Sequence, residues 1–384
     1  MKADIVVVGG GVIGLASAYY LAKYGGENIV VVERQYIGSG ASTRNASHFR
    51  VHFWSRENTI FAIKSRKLYK SLASESGWNP LIEYTGYLWL IYDDETLKAY
   101  EAMNKKLWSK LGVSVNFLSP KEVERKYPYI NLDGVIAGVF GPQDGKFHHD
   151  FVVYGFYSLA VRHRVKVLEY TEAKKILVKN HEVLGVETDR GAIYARKILL
   201  ANNFWATSLL DSIDIELPIT PERKEICVTE PFKPFIDPLV VCMNPEFNGL
   251  YIGQTVRGEV MGSIDYPPSY GVSEPGNTLK WVAKFAKNAI KLIPALKYAR
   301  FMRVWSGFYD MTPDNSHIMG RINDWPEGLY VAIGFSGHGF MLAPYIGELI
   351  AKAMLFNEVH NDMKPYLPDR FEKKKLIKET MVIG

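Results

Sequence analysis

The sequence predicts a two-part protein. One part is α/β with a doubly wound, mostly parallel sheet; the other is α+β and built on a mostly antiparallel sheet. Three observations predict this. A strand, glycine loop, helix and second strand open the chain. A further strand leads into a second glycine loop and a long helix near the other end. Short alternating segments bounded by Gly, Pro and Asn lie between them.

Residues 4–8 form a short, branched apolar run suited to a buried parallel strand. The run GGGVIG follows at 9–14. A helix is expected over 13–22, with Ile13, Ala16, Ala18, Leu21 and Ala22 apolar, and Gly25-Gly26 stops it. Residues 29–32 are a second buried strand, with Glu33 at its end. Gly9 permits a tight turn, Gly11 lets backbone approach a pyrophosphate, and Gly14 allows close helix–strand packing. Val12 and Ile13 open a helix whose free N–H groups and partial positive charge suit phosphates. Glu33 lies where a carboxylate accepts hydrogen bonds from ribose hydroxyls. An acid rather than an arginine disfavours a 2′-phosphate, which leaves NAD and FAD.

The other end separates these two. Residues 328–333 read as a buried strand that enters GFSGHGF at 334–340. A helix is expected over 341–356, with Leu342, Ile346, Leu349, Ile350, Ala353 and Met354 on one broad face. A glycine loop opening a helix is an anion site, and reduced flavin carries negative charge.

Three stretches resemble the FAD-dependent amino-acid oxidoreductases of the D-amino-acid oxidase and sarcosine oxidase type. They are GFSGHGF with its helix, WSGFYDMTPDNSHIMG at 305–320 (His317 replacing a usual proline), and GSGASTRNASHFR at 38–50. HHDFVVYGF at 148–156 and YDMTPDNSHIM at 309–319 are similar to the β subunit of heteromeric sarcosine oxidases and to archaeal dye-linked proline dehydrogenases. The resemblance implies a Rossmann-like FAD-binding domain (1–80, 141–215 and 318–384) and a mostly antiparallel-sheet substrate-binding domain (81–140 and 216–317). It implies FAD contacts from Arg34, Ser39, Ala41, Ser42, Arg44, Asn45, Gly307, Gly337, His338, Gly339, Phe340 and Met341. In the heteromeric oxidases the histidine matching His149 carries covalent FMN. Two readings of His149 stay open: an FMN attachment point at a subunit interface, or a polar residue at a helix start.

The implied reaction is oxidation of a small secondary or N-methyl amino acid, of the sarcosine or proline type, to an imine. Arg50 is expected to hold the substrate carboxylate, because a guanidinium binds it bidentately. Tyr251 matches a substrate-contacting hydroxyl. His338, between two glycines, is a catalytic candidate, although the backbone N–H groups there matter more. Met341 stands where monomeric sarcosine oxidases use a lysine for the carboxylate. Gly307 stands where they attach FAD to cysteine, so that bond is impossible here. No lysine lies around 258–262 to activate oxygen, which favours a dehydrogenase passing electrons to an acceptor or partner. The alternatives are an oxygen-using D-amino-acid or glycine oxidase, and a flavin-carrying subunit inactive without its partner.

The remaining elements follow in order. Residues 81–140 combine a strand at 87–91 with a charged helix over 95–111. A helix is expected at 151–161, strands at 165–168 and 175–178, and a hairpin continuing at 185–188. One strand is expected over 193–201, and Asn202-Asn203 then replaces the small pair usual in this family. Pro218 to Pro221 opens a second region with strands at 227–229 and 250–252 and a helix at 279–292.

Composition bounds the rest. The net charge of +5 is too mild to argue for nucleic acid. No uninterrupted apolar run approaches the ~20 residues of a membrane span. Asp4 and the glycine cluster argue against reading the start as a signal peptide. Two cysteines, Cys227 and Cys242, make neither a disulfide framework nor a four-ligand zinc site, and no metal is expected. The expected location is cytoplasmic or peripheral at a membrane, with Lys373-Lys374-Lys375 a solvated run. A homo-oligomer or a heteromeric complex fits the resemblance.

Overall fold

The computed structural model describes residues 1–382; the last two residues of the expected 318–384 segment lie outside the described residues. The β-branched run Ile5–Val8 pairs in parallel with Ile29–Val32 on one side and Lys197–Leu200 on the other. Lys166–Leu168 and Leu329–Ile333 extend this sheet outward, and Ile318–Gly320 closes one edge antiparallel. Val8 lies level with Val32 and Leu200, and Leu200 with Val331. Gly9, Glu33, Ala201 and the loop after Ile333 therefore leave the sheet at one end, where ligands of doubly wound sheets bind.

The helices Val12–Lys23 and Gly339–Phe356 cover one face together. A Cβ on Gly347 would come 2.8 Å from the Ala16 carbonyl carbon, so glycine sets their approach. Pro344 lies inside the second of these helices. A proline there cannot donate to the carbonyl of Phe340 four residues earlier. The Tyr69 hydroxyl, from helix Arg56–Ser76, donates to that carbonyl instead (2.5 Å). Gly339–Phe356 is long and apolar enough to cross a membrane by length and composition, and most of it is buried inside the protein.

A second sheet has eight strands. In order they are Phe301–Met311, Thr220–Pro231, Glu259–Ser263, Tyr251–Gln254, Leu239–Cys242, Tyr87–Ile91, Ala137–Gly141 and Asn116–Leu118. Every pairing is antiparallel except Leu239–Cys242 with Tyr87–Ile91. The amphipathic helix Leu279–Leu292 lays Trp281, Phe285, Ala289 and Leu292 on it.

One expected strand is two. Gly191–Tyr194 belongs to a three-stranded antiparallel sheet with Glu182–Thr188 and Ala173–Lys179, whereas Lys197–Leu200 belongs to the parallel sheet. The chain changes partners at Ala195-Arg196, where the Ala195 N–H bonds back to the Leu184 carbonyl. Arg196-Lys197 interrupt the apolar pattern at this point, but the pattern holds no record of which sheet each half joins. The charged helix is helical throughout but changes pitch: Asp94–Met103 is α-helical, Asn104–Trp108 loosens and Ser109–Leu111 tightens before Gly112.

Candidate active site

A cleft of about 1250 Å³, open mouth included, runs along the carboxyl ends of the parallel strands. One end is lined by Gly9, Gly11, Val12, Ile13, Glu33 and Arg34, with Ser39, Ala41, Ser42 and Asn45 from the following loop. The other end is lined by Phe308, Tyr309, Asp310, Phe335, Gly337, Gly339 and Phe340. The two glycine loops, some 325 residues apart in sequence, thus share one cleft.

The fit to a dinucleotide can be tested on the glycines. A Cβ on Gly11 would meet one protein atom, Ser42 Oγ at 3.0 Å; the rest of its surroundings is open. Gly11 also caps helix Val12–Lys23 with no side-chain acceptor, which leaves room for an anionic one. Ser42 Oγ accepts from the Val12 N–H (2.9 Å). Glu33 receives the Gly10 N–H on Oε2 (2.8 Å) and the Gln35 N–H on Oε1 (2.9 Å), so its carboxylate is fixed at the cleft wall. Arg34 lies 3.8 Å over the Trp205 ring. These residues fit the adenosine diphosphate half of FAD.

Several expected contacts lie behind the wall. A Cβ on Gly14 would sit 2.0 Å from the Gly9 carbonyl oxygen, so Gly14 serves packing. Arg44 donates to the backbone carbonyls of Ser39 (3.0 Å) and Ser306 (3.1 Å), and Gly307 faces the Arg44 side chain. Asn202 and Asn203 line the cleft; Asn203 takes a left-handed φ of 61° and its side chain accepts from the Phe204 N–H.

Asp310, 2% exposed, organises the second loop. Its carboxylate accepts from the N–H groups of Gly334 (2.6 Å) and Phe335 (2.9 Å). Burial pushes its pKa up to about 7 even though those bonds pull the other way. Asp310 lies within WSGFYDMTPDNSHIMG, but no spacing assigns it this role.

Arg50 is 3% exposed. Its Nη2 donates to the Met381 carbonyl (2.6 Å) and lies 3.2 Å from His338 Nε2; the guanidinium sits 4.6 Å from the Phe53 ring. Its Nε is buried with no partner. Guanidinium only donates, so His338 Nε2 accepts, and the ring is neutral with its proton on Nδ1. Burial and the Arg50 charge push the His338 pKa well below the imidazole range. His338 thus sits against Arg50 and is not among the residues that line the cleft. Arg50 and Met341 come together in a second, small pocket with Arg66, Tyr69, Tyr84 and Phe147.

Tyr251 is buried next to Ser263, and burial raises its pKa well above the phenol value. Burial also raises Tyr309 to about 12, against the pull of Arg50; its ring packs on Gly337. The expected gap in cations is partly filled from another strand. Lys224, buried, lies 5.6 Å from the Tyr309 ring, paired with Glu222 (2.8 Å) and Asp265 (3.2 Å). His52 is fully buried with Nδ1 2.7 Å from Asp144 and Nε2 3.0 Å from the Ser114 carbonyl, so it braces the segment that follows strand His48–Phe49 and holds Arg50. His317 is a stacked core residue between Tyr366 and Phe335. Cys227 and Cys242 are free and buried, and burial raises both thiols, Cys242 to about 12.

His149 begins helix His149–Arg162, half-buried, with Nδ1 3.0 Å from Asp150. His148, His149 and Asp150 bring their ligand atoms within 4.8 Å of one another.

The model of FAD-dependent oxidoreductases, the DAO family, matches residues 4–353. The chain belongs to that family. It is an FAD-dependent amino-acid oxidoreductase. The family's cofactor, FAD, is the dinucleotide that the two ends of the cleft fit. Similar proteins include sarcosine oxidase subunit beta of Rhizobium meliloti (strain 1021), 32% identical over 98% of this chain and 90% of that protein. The L-proline dehydrogenase from P. horikoshii superposes with a TM-score of 0.91 at 34% identity, covering 98% of this chain and 99% of that one. A glycine oxidase from Geobacillus kaustophilus shares the fold, with a TM-score of 0.87 at 23% identity, covering 96% and 99%.

Proposed function

We propose that this protein oxidises the Cα–N bond of a small secondary or N-methyl amino acid, sarcosine or proline in type, to the imine. The observation that carries the reading is Arg50: a buried guanidinium beside the flavin loop, with Nε unpartnered and, among the described residues, no carboxylate as a hydrogen-bond or ion-pair partner. A buried cation without a counter-ion is costly, and a substrate carboxylate answers both deficits. FAD, when bound, would supply the hydride acceptor. The protein's own residues hold and orient. Arg50 binds the carboxylate, His338 stays neutral and fixes the guanidinium, and Tyr251 offers a hydroxyl to the substrate. Buried aromatic walls exclude water. We take segments 1–80, 141–215 and 318–384 as the FAD-binding domain and 81–140 with 216–317 as the substrate domain.

Electrons then pass to an acceptor or partner subunit. The Lys224 charge is already balanced by Glu222 and Asp265, which weakens it as an oxygen-activating cation. The resemblance of 148–156 to the β-subunit motif supports FMN on His149. The exposed, stacked pair Trp78 and Tyr154 supports a subunit interface there, because Phe151 touches both Trp78 and His148.

Anaerobic addition of sarcosine, proline, glycine and D-alanine tests the reaction. Bleaching of the flavin band by a secondary or N-methyl amino acid is expected; no bleaching by any of them refutes the proposal. An absorption spectrum after acid precipitation decides the second flavin, since colour retained in the pellet reports a covalent one.

A further inference from the structure

Residues 377–381 run back across the molecule to Arg50, and the residue that fixes their course is Glu379. Its side chain is 2% exposed, and among the described residues no cation pairs with it. Instead it collects donors. Oε2 accepts from the Ser55 N–H (3.1 Å), the Ser55 hydroxyl (2.8 Å) and Asn58 Nδ2 (3.3 Å). Oε1 accepts from the N–H groups of Trp54 (3.2 Å) and Met381 (3.1 Å). The carboxylate thus sits at the N-terminus of the 21-residue helix Arg56–Ser76, where the dipole favours an anion. The backbone is pinned as well: Asn315 Nδ2 donates to the Glu379 carbonyl (3.0 Å).

The bond from the Met381 N–H folds the chain back on Glu379 and presents the Met381 carbonyl to Arg50 Nη2 at 2.6 Å. His338 faces the same backbone group. Nη2 is fully used by the protein, while Nε is left buried and free. We infer that Glu379 is a positioning residue for Arg50, acting through the Met381 carbonyl to hold the guanidinium so that its free Nε–H faces the substrate carboxylate. The inference rests on the carboxylate role proposed for Arg50.

The test uses the FAD-loaded full chain and acetate as a probe of carboxylate binding alone, followed by calorimetry and by the shift in flavin absorbance. Glu379→Ala should weaken acetate at least fivefold and raise KM for the amino acid more than it lowers kcat, with flavin content unchanged. Glu379→Asp should recover part of the loss. In an Arg50→Ala background, Glu379→Ala should add no further loss. Should Glu379→Ala not fold, Asn315→Gly keeps the left-handed backbone (φ 52°), removes only the pin on the Glu379 carbonyl, and should weaken acetate in the same direction by less. Losses that multiply in the double variant, or wild-type acetate affinity in Glu379→Ala or Asn315→Gly, overturn the inference. Failure of every amino acid to reduce the flavin removes the proposed reaction instead, and the acetate arm still decides Glu379.

Discussion

Replacing Gly11 by alanine separates the cofactor role of the first glycine loop from its packing role. Gly11 has φ −80° and ψ 178°, a conformation open to any L-residue, so alanine brings no backbone strain. Its new methyl meets only Ser42 Oγ at 3.0 Å, which a displacement of a few tenths of an ångström relieves. The protein without flavin should therefore fold with a Tm close to wild type. The methyl points into the cleft, however, where the backbone must approach the pyrophosphate. Losing one charge-assisted hydrogen bond costs about 1.5–3 kcal/mol, or roughly 10- to 150-fold in FAD affinity. Gly14→Ala is the contrast. Its methyl would lie 2.0 Å from the Gly9 carbonyl oxygen, so loop and helix must part by about 1 Å to reach even a 3.0 Å contact. It should lower the Tm whether or not flavin is present. The assay is titration of deflavinated protein with FAD, alongside thermal unfolding with and without FAD. Wild-type FAD affinity in Gly11→Ala would refute the cradle, and equal Tm losses for the two variants without flavin would refute the division of roles.

Three further outcomes follow from the site. Arg50→Ala should raise KM by about two orders of magnitude, as expected for loss of bonds to a charged group, with FAD still bound; an unchanged KM removes Arg50 from the substrate site. Glu33→Gln should weaken FAD roughly tenfold and leave KM alone, because an amide N–H₂ must then face the N–H of Gly10 or Gln35; equal FAD affinity refutes the ribose assignment. Asp310 is held near pKa 7 when folded, against an ordinary value of 3.8. The folded state therefore binds the extra proton between these values, and stability falls as pH rises from about 4 to 7, by about 4 kcal/mol in total at 1.36 kcal/mol per unit. Asp310→Asn should abolish that slope in denaturant titrations of the flavin-free protein at pH 5 and pH 8; identical pH dependence in both proteins refutes it.

Much of the fold is legible because its signals are local. The GGGVIG run between two β-branched strands, with Glu33 after the second, encodes a turn, a helix start and a carboxylate within one 30-residue unit. Leu279–Leu292 and Tyr87–Ile91 are bounded as their patterns predict, since periodicity of 3.6 or a short β-branched and aromatic run needs no distant partner. The strand expected over 193–201 marks the limit: pairing is a choice among sheets, and the residues on either side of Arg196 join different ones.

The sequence by itself determined the cofactor class and the turn, helix start and carboxylate that line one end of the cleft, because backbone freedom at glycine and the reach of one carboxylate are properties of a few neighbouring residues. Only the tertiary structure decided what surrounds Arg50. It brought a histidine from 288 positions away, a carbonyl from 331 positions away and the donor-rich start of helix Arg56–Ser76, with Glu379 upon it, to one guanidinium. Such contacts join segments with no shared periodicity, and they exist only once chain packing has closed the distance between them.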